Sequence, residues 1–162
     1  MTIKPGDTLP DATFSKIGAK GPEMVSLSDL SQGKKLVLFG LPGAFTRTCS
    51  AAHLPSFIRT ADALRAKGVD HIVCVSVNDP FVMKAWDDAS GASEAGIELL
   101  ADGDATFTKA IGMAFSAPQI GFIDRSKRYS AYIENGVVKV LNPEPEGGGC
   151  EISAGETLLE QI

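Results

Sequence analysis

The chain is short of cysteine and histidine, has no excess of basic residues, and contains no long apolar run. Each shortage removes a class of function. Its three cysteines, Cys49, Cys74 and Cys150, are an odd, sparse set that fits neither a disulfide framework nor a zinc pattern. No Cys-x-x-Cys pair occurs, which weakens a thioredoxin-type disulfide reductase. Fifteen Lys and Arg against 20 Asp and Glu leave a net charge of −5, unsuited to nucleic acid or an anionic membrane surface. No apolar stretch approaches membrane-spanning length. Nothing apolar follows Lys4 near the N-terminus, so a secretory signal is not expected. The tri-glycine Gly147-Gly148-Gly149 lacks the Lys-Ser/Thr and the helix start of a phosphate loop. A reducing, cytoplasmic compartment suits this cysteine usage.

What is present is enough for one domain over residues 1–162, with 44% hydrophobic residues for its core. The chain is organised around Pro42-Gly43-Ala44-Phe45-Thr46-Arg47-Thr48-Cys49. The apolar run Leu36–Phe39, bounded by Gly33 and Gly40, reads as a buried strand. Beyond Cys49, residues Leu54, Phe57, Ile58, Ala61 and Leu64 recur at helical spacing. Cys49 therefore sits where a strand and loop turn into a helix. Unpaired N–H groups and the helix dipole stabilise an anion there and lower a thiol's pKa. Pro55 should kink the helix one turn below the cysteine.

Short edge strands are expected around 12–14 and 24–27, with a turn of helix at 28–31. His71–Val77 reads as a second buried strand, followed by the Asn78-Asp79-Pro80 cap of a helix carrying Phe81, Ala85 and Trp86. Residues 97–100 suggest a short strand, and 104–111 a helix with Asp102 or Asp104 at its cap. Segments 128–134 and 137–141, joined by Asn135-Gly136, give the clearest hairpin signal. A Gly/Pro-rich loop over 144–149 and a terminal helix over 156–161, with Leu158 and Leu159 inward, complete the chain. The order predicts an α/β fold, a mixed sheet with helices on both faces.

The stretch Pro42-Gly43-Ala44-Phe45-Thr46-x-Thr48-Cys49 resembles that of the peroxiredoxins, within them the group called type five or type II. His53-Leu54-Pro55-x-Phe57, Val75 through Trp86, and Arg128-Tyr129 before the Asn135-Gly136 hairpin match in order and spacing. The resemblance covers nearly the whole chain. It implies a thioredoxin-like fold, thiol peroxidase activity and a homodimer. By resemblance Cys49 is the peroxidatic cysteine, Thr46 its hydroxyl partner, Pro42 the residue shielding the site from water, and Arg128 the cationic partner. Arg125, three residues earlier, competes for that last role, and the pairing of Arg128 with Tyr129 favours Arg128. Arg47 stands where the group commonly has proline.

The expected chemistry is attack of a thiolate on hydrogen peroxide or a small alkyl hydroperoxide. Negative charge spreads over sulfur and both oxygens, so the site calls for donors in a water-poor pocket. The product is a sulfenic acid, which a second thiol must reduce. Glutathione or glutaredoxin, otherwise thioredoxin, is the expected reductant, with no metal, haem or flavin cofactor. Cys150 is either a resolving thiol or an incidental exposed cysteine, and Cys74 either core packing or a resolving thiol. His53 is either a base paired with Cys49 or a packing histidine near the pocket. His71 is read as structural. Trp86, Phe81 and Met83 are read as core or dimer contacts. A redox relay that passes its oxidation to a protein partner is the alternative function.

Overall fold

The structure, a computed structural model, describes residues 2–145 and 150–162, with the backbone alone of Cys49. In chain order the elements are β1 (Thr13–Gly18), β2 (Gly21–Ser26), α1 (Leu27–Ser31) and β3 (Lys35–Leu41). A π-helical turn (Cys49–His53) leads into α2 (Leu54–Ala66), then β4 (His71–Ser76), α3 (Pro80–Ser90), β5 (Ile97–Ala101) and α4 (Thr106–Ala110). They are followed by β6 (Ala114–Ala117), β7 (Phe122–Ser126), β8 (Tyr129–Glu134), β9 (Val137–Pro143) and α5 (Gly155–Gln161). Seven strands form the main sheet in the order β2-β1-β5-β4-β3-β8-β9. Strands β3, β4 and β5 are parallel, and β8 adds antiparallel to β3. This is the expected mixed sheet.

Period-two alternation along β3 builds two cores. Val37, Phe39 and Leu41 face a layer made by Leu54, Phe57 and Leu64 of α2, Met83 and Trp86 of α3, and Leu158 of α5. Leu36 and Leu38 face Leu27 and Leu30 of α1 and Phe107 of α4. Helices therefore cover both faces. The Asn135-Gly136 turn joins β8 to β9 with φ of 49° and 78°, the doubly positive pair that a two-residue hairpin requires.

The structure adds detail to the sequence reading at three places. Pro55 stands in the first turn of α2 and is preceded by a π turn, where the sequence led to the expectation of a kink. Proline has no N–H to give the carbonyl four residues back and its ring crowds that group, so the preceding turn widens. The buried residues of α3 are Met83 and Trp86, whereas Phe81 is 64% exposed and Ala85 lies in the open. The Asp79 carboxylate, accepting from Val82 N at 2.9 Å, fixes the helix's rotation from its first turn. The β6–β7 hairpin was not expected, because Asp124 and Arg125 interrupt any apolar alternation there. Of the expected loop over 144–149, residues 146–149 lie outside the described residues.

Helix α5 docks against α2 through Gly155, whose N–H donates to Ser56 Oγ at 2.9 Å. A Cβ added at Gly155 would lie 2.6 Å from the Ser56 carbonyl oxygen and 2.4 Å from Thr60 Oγ1. The backbone oxygen cannot step aside. Gly155→Ala should therefore cost about 1–3 kcal/mol of stability, measurable as a lowered midpoint in urea unfolding.

Candidate active site

Parallel pairing of β3 with β4 brings Leu41 beside Ser76, so the loop leaving β3 runs next to the start of α3. The side chain of Asn78 fixes that loop. Its Oδ1 accepts from Ala44 N at 2.9 Å and from Ser76 Oγ at 2.6 Å. Phe45 takes φ of 63° and is 54% exposed, which turns the chain sharply toward the helix. Thr46 then folds back on the loop, its hydroxyl donating to the Gly43 carbonyl at 2.7 Å. That donation uses the only hydroxyl proton and leaves the oxygen's lone pairs as acceptors. Ser50 N donates to the Thr46 carbonyl at 2.9 Å, and Trp86 Nε1 donates to Ser50 Oγ at 3.1 Å. The backbone of Cys49 opens the π turn, at the start of the helical run. Its side chain lies outside the described residues.

Both arginines weighed from the sequence reach this region, by different routes. Arg125 Nη1 donates to the Pro42 carbonyl at 3.0 Å, while its guanidinium lies 5.1 Å over the Phe122 ring. It occupies the space a side chain at Gly43 would need, with Nη1 2.5 Å from a built Cβ. Arg125 thus clamps the loop backbone. Arg128 Nη1 instead donates to His53 Nδ1 at 3.1 Å, and His53 lies in the same π turn as Cys49. Pro42 and Thr46 are half-buried and Arg47 is exposed.

His53 is wholly buried among aromatic rings, its centroid 5.1 Å from Phe39 and 5.7 Å from Phe57. An arginine can only donate, so Nδ1 offers a lone pair and Nε2 carries the proton. That proton goes to the Ser153 carbonyl at 3.1 Å. Burial first, and then the charge of Arg128, pull its pKa down to about 3. The ring is neutral at physiological pH and both nitrogens are engaged within the protein. Of the two roles open for His53, this is the packing histidine beside the pocket.

Cys150 is half-buried, 3.9 Å from Ser153 Oγ. Burial raises its pKa above the ordinary thiol value, against opposing effects of Ser153 and Arg128. Cys74 is fully buried in β4, opposite Phe39 and Leu99. Its surroundings are those of a core residue. His71 pairs with Glu98 at 3.5 Å and takes no part in the site.

A family model described as Redoxin matches residues 4–159. Peroxiredoxin-2C of Oryza sativa subsp. japonica is 48% identical over 97% of this chain and 96% of its own length. The chain is a peroxiredoxin of the redoxin family. A second rice relative, Peroxiredoxin-2E-2, chloroplastic, is also 48% identical, covering 99% of this chain and 73% of that protein. Among solved structures, reduced Prx3 from Vibrio vulnificus in complex with h2o2 superposes with a TM-score of 0.93. Its identity is 50% and the match covers 99% of both chains. These likenesses bear out the type II peroxiredoxin resemblance, the thioredoxin-like fold and thiol peroxidase activity. This peroxiredoxin is an enzyme.

Sequence reasoning missed the parts that hold the site in place. Asn78 was read only as part of a helix cap, and Arg125 only as a rival to Arg128. Glu144 and Ser153 carried no signal, since their contacts span the loop over 144–153.

The neutral buried histidine makes acid stability a test of the site. The folded pKa lies below the free value of 6.5. The unfolded chain therefore binds the proton first, and stability present above pH 6.5 is lost as pH falls toward 3. Wild type should lose about 2 kcal/mol more than His53→Gln between about pH 7 and pH 5. Paired denaturation curves at the two pH values measure it.

Proposed function

We propose that Cys49 is the nucleophile of this thiol peroxidase and that Thr46, Arg128 and Pro42 serve it. The observation that carries the reading is the convergence of the Thr46 loop, the helix start and Arg128 on the turn that Cys49 opens. The substrates are hydrogen peroxide and small alkyl hydroperoxides. In support, one of the similar structures is described as a complex with h2o2. With its proton on Gly43, the Thr46 hydroxyl accepts a hydrogen bond from the peroxide O–H. Arg128 supplies a charge that cannot be lost, and N–H donors for the oxygens. Thiolate attack forms the S–O bond as the O–O bond breaks. The leaving oxygen takes a proton to become water or alcohol, and sulfur is left as sulfenic acid. Pro42 offers no N–H, and its half-buried ring limits water at the site.

An external thiol, from glutathione or glutaredoxin and otherwise thioredoxin, displaces water from the sulfenic acid to form a mixed disulfide. A second thiol attacks that disulfide and releases Cys49 as its thiol, with no metal or other cofactor. The raised pKa of Cys150 supports the external donor, because a protonated thiol attacks poorly. Cys150 remains the better candidate for a resolving thiol than Cys74, being half-buried where Cys74 is enclosed. Cys49→Ser should abolish peroxide consumption with excess glutathione and glutaredoxin, while Cys74→Ser keeps most of the wild-type rate. Equal turnover by wild type and Cys49→Ser overturns the assignment. Intact mass after one equivalent of peroxide should show the gain of one oxygen. Loss of two hydrogens would mean a disulfide instead, and repeated turnover excludes a relay that reacts once and stalls.

The enzyme acts as a cytoplasmic homodimer in this reading. Among the described residues no helix is long and apolar enough to cross a membrane. Two exposed aromatic rings support the dimer. Phe45 and Phe81 stand on segments that the Asn78–Ala44 hydrogen bond ties together, and such apolar surface marks an interaction site. Phe81→Asp should move the sedimentation coefficient from dimer to monomer. A wild type that sediments as a monomer would refute the dimer.

A further inference from the structure

The Glu144 carboxylate gathers four donors from one turn. It accepts from Glu151 N at 3.0 Å, Ile152 N at 3.3 Å and Ser153 N at 2.8 Å, and from the Ser153 hydroxyl. Burial works against ionisation, yet the Ser153 and Glu151 donors prevail and hold the carboxyl below its ordinary pKa. With its amide fixed on Glu144, buried Ser153 turns its carbonyl to His53 Nε2 at 3.1 Å. His53 Nδ1 in turn receives Arg128 Nη1 at 3.1 Å. The path closes on itself, because the backbone N–H of Glu144 donates to the Arg128 carbonyl at 2.9 Å. Arg128 is thus held at its main chain by Glu144, and at its guanidinium by a chain of bonds that Glu144 begins.

We propose that Glu144 is a positioning residue for Arg128, acting through the Ser153 carbonyl and the imidazole of His53. This rests on the reading of Arg128 as the cationic partner of the peroxidatic site. Without the carboxylate, three neighbouring amides lose their common acceptor and the turn is free to rotate. The Ser153 carbonyl then leaves Nε2. Nε2–H is then left buried without its acceptor, and the Nδ1 lone pair facing Arg128 is held in place from one side only. The hydrogen bond from the guanidinium to His53 loosens, and the charge spreads over more positions than the transition state can use.

The test is a double-mutant cycle on the second-order rate of Cys49 oxidation by hydrogen peroxide, alongside the pH profile of Cys49 alkylation by iodoacetamide. Glu144→Ala should lower the oxidation rate roughly tenfold and move the alkylation profile to higher pH. Glu144→Gln, which keeps one acceptor oxygen, should fall between the two. In a His53→Ala background, adding Glu144→Ala should change the rate less than about twofold, since the path is already cut. A wild-type rate in Glu144→Ala, or the same loss in both backgrounds, overturns the proposal. If Glu144→Ala does not fold, Glu144→Gln carries the same cycle with a smaller expected loss. Arg128→Ala separates the two levels. If it reacts like wild type, the reading of Arg128 falls; if it is slow while Glu144→Ala is fast, only the role of Glu144 falls.

Discussion

One imidazole, shut off from water, joins three separate parts of this protein. His53 belongs to the turn that Cys49 opens, accepts from the arginine ahead of β8, and donates to the segment before α5. A buried polar group left without partners costs about 1–3 kcal/mol, so the ring keeps its place only while both neighbours keep theirs. Its stacked surroundings make the constraint two-sided. The Phe39 and Phe57 rings, parallel and 4.0 Å apart, leave the imidazole little room to tilt. Sheet, helix and C-terminal segment are in this way made to agree on a single position for the guanidinium.

The arginines divide the work of holding the loop and charging the site. Arg125 secures the Pro42 carbonyl and fills the space beside Gly43, so the loop that carries Thr46 is held from one side by a cation. Asn78 holds the other side with a neutral amide. Arg128 is left to the helix start. Two like charges three residues apart on the chain therefore serve different atoms. Both are half-buried, where a guanidinium retains more of its electrostatic reach than it would in water.

Most of the fold was legible in the chain because its strongest signals are local. The Leu36–Phe39 run of β3 and the Ile72–Val75 run of β4 are apolar throughout, the α2 spacing is regular, and Asn135-Gly136 can hardly be anything but a hairpin turn. Pro42 through Cys49 marked the site for the same reason: a strand, a turn and a helix start follow one another within a few residues. The parts that escaped notice depend on distance. Glu144 and Ser153 become meaningful only when α5 packs on α2 and brings residues 97 to 100 positions apart into contact. The β6–β7 hairpin escaped for a different reason, since its strands are short and carry charge. Of the two roles read for Phe81, core or dimer contact, its outward position removes the core, and hydrophobicity alone does not say which way a first helical turn points.

The widened turn ahead of Pro55 also sets the angular phase of everything before it. A π turn holds one residue more than an α turn, so α2 and the loop from β3 are joined with a one-residue offset absorbed in five residues. Were that turn to tighten into ordinary α-helix, the segment before it would swing by about one residue of rotation, roughly 100°. Leu54, Phe57, Ala61 and Leu64 would stay where they are. The cost of such a change would fall on His53, the last residue of the turn, whose buried ring would have to leave Phe39, Arg128 and Ser153.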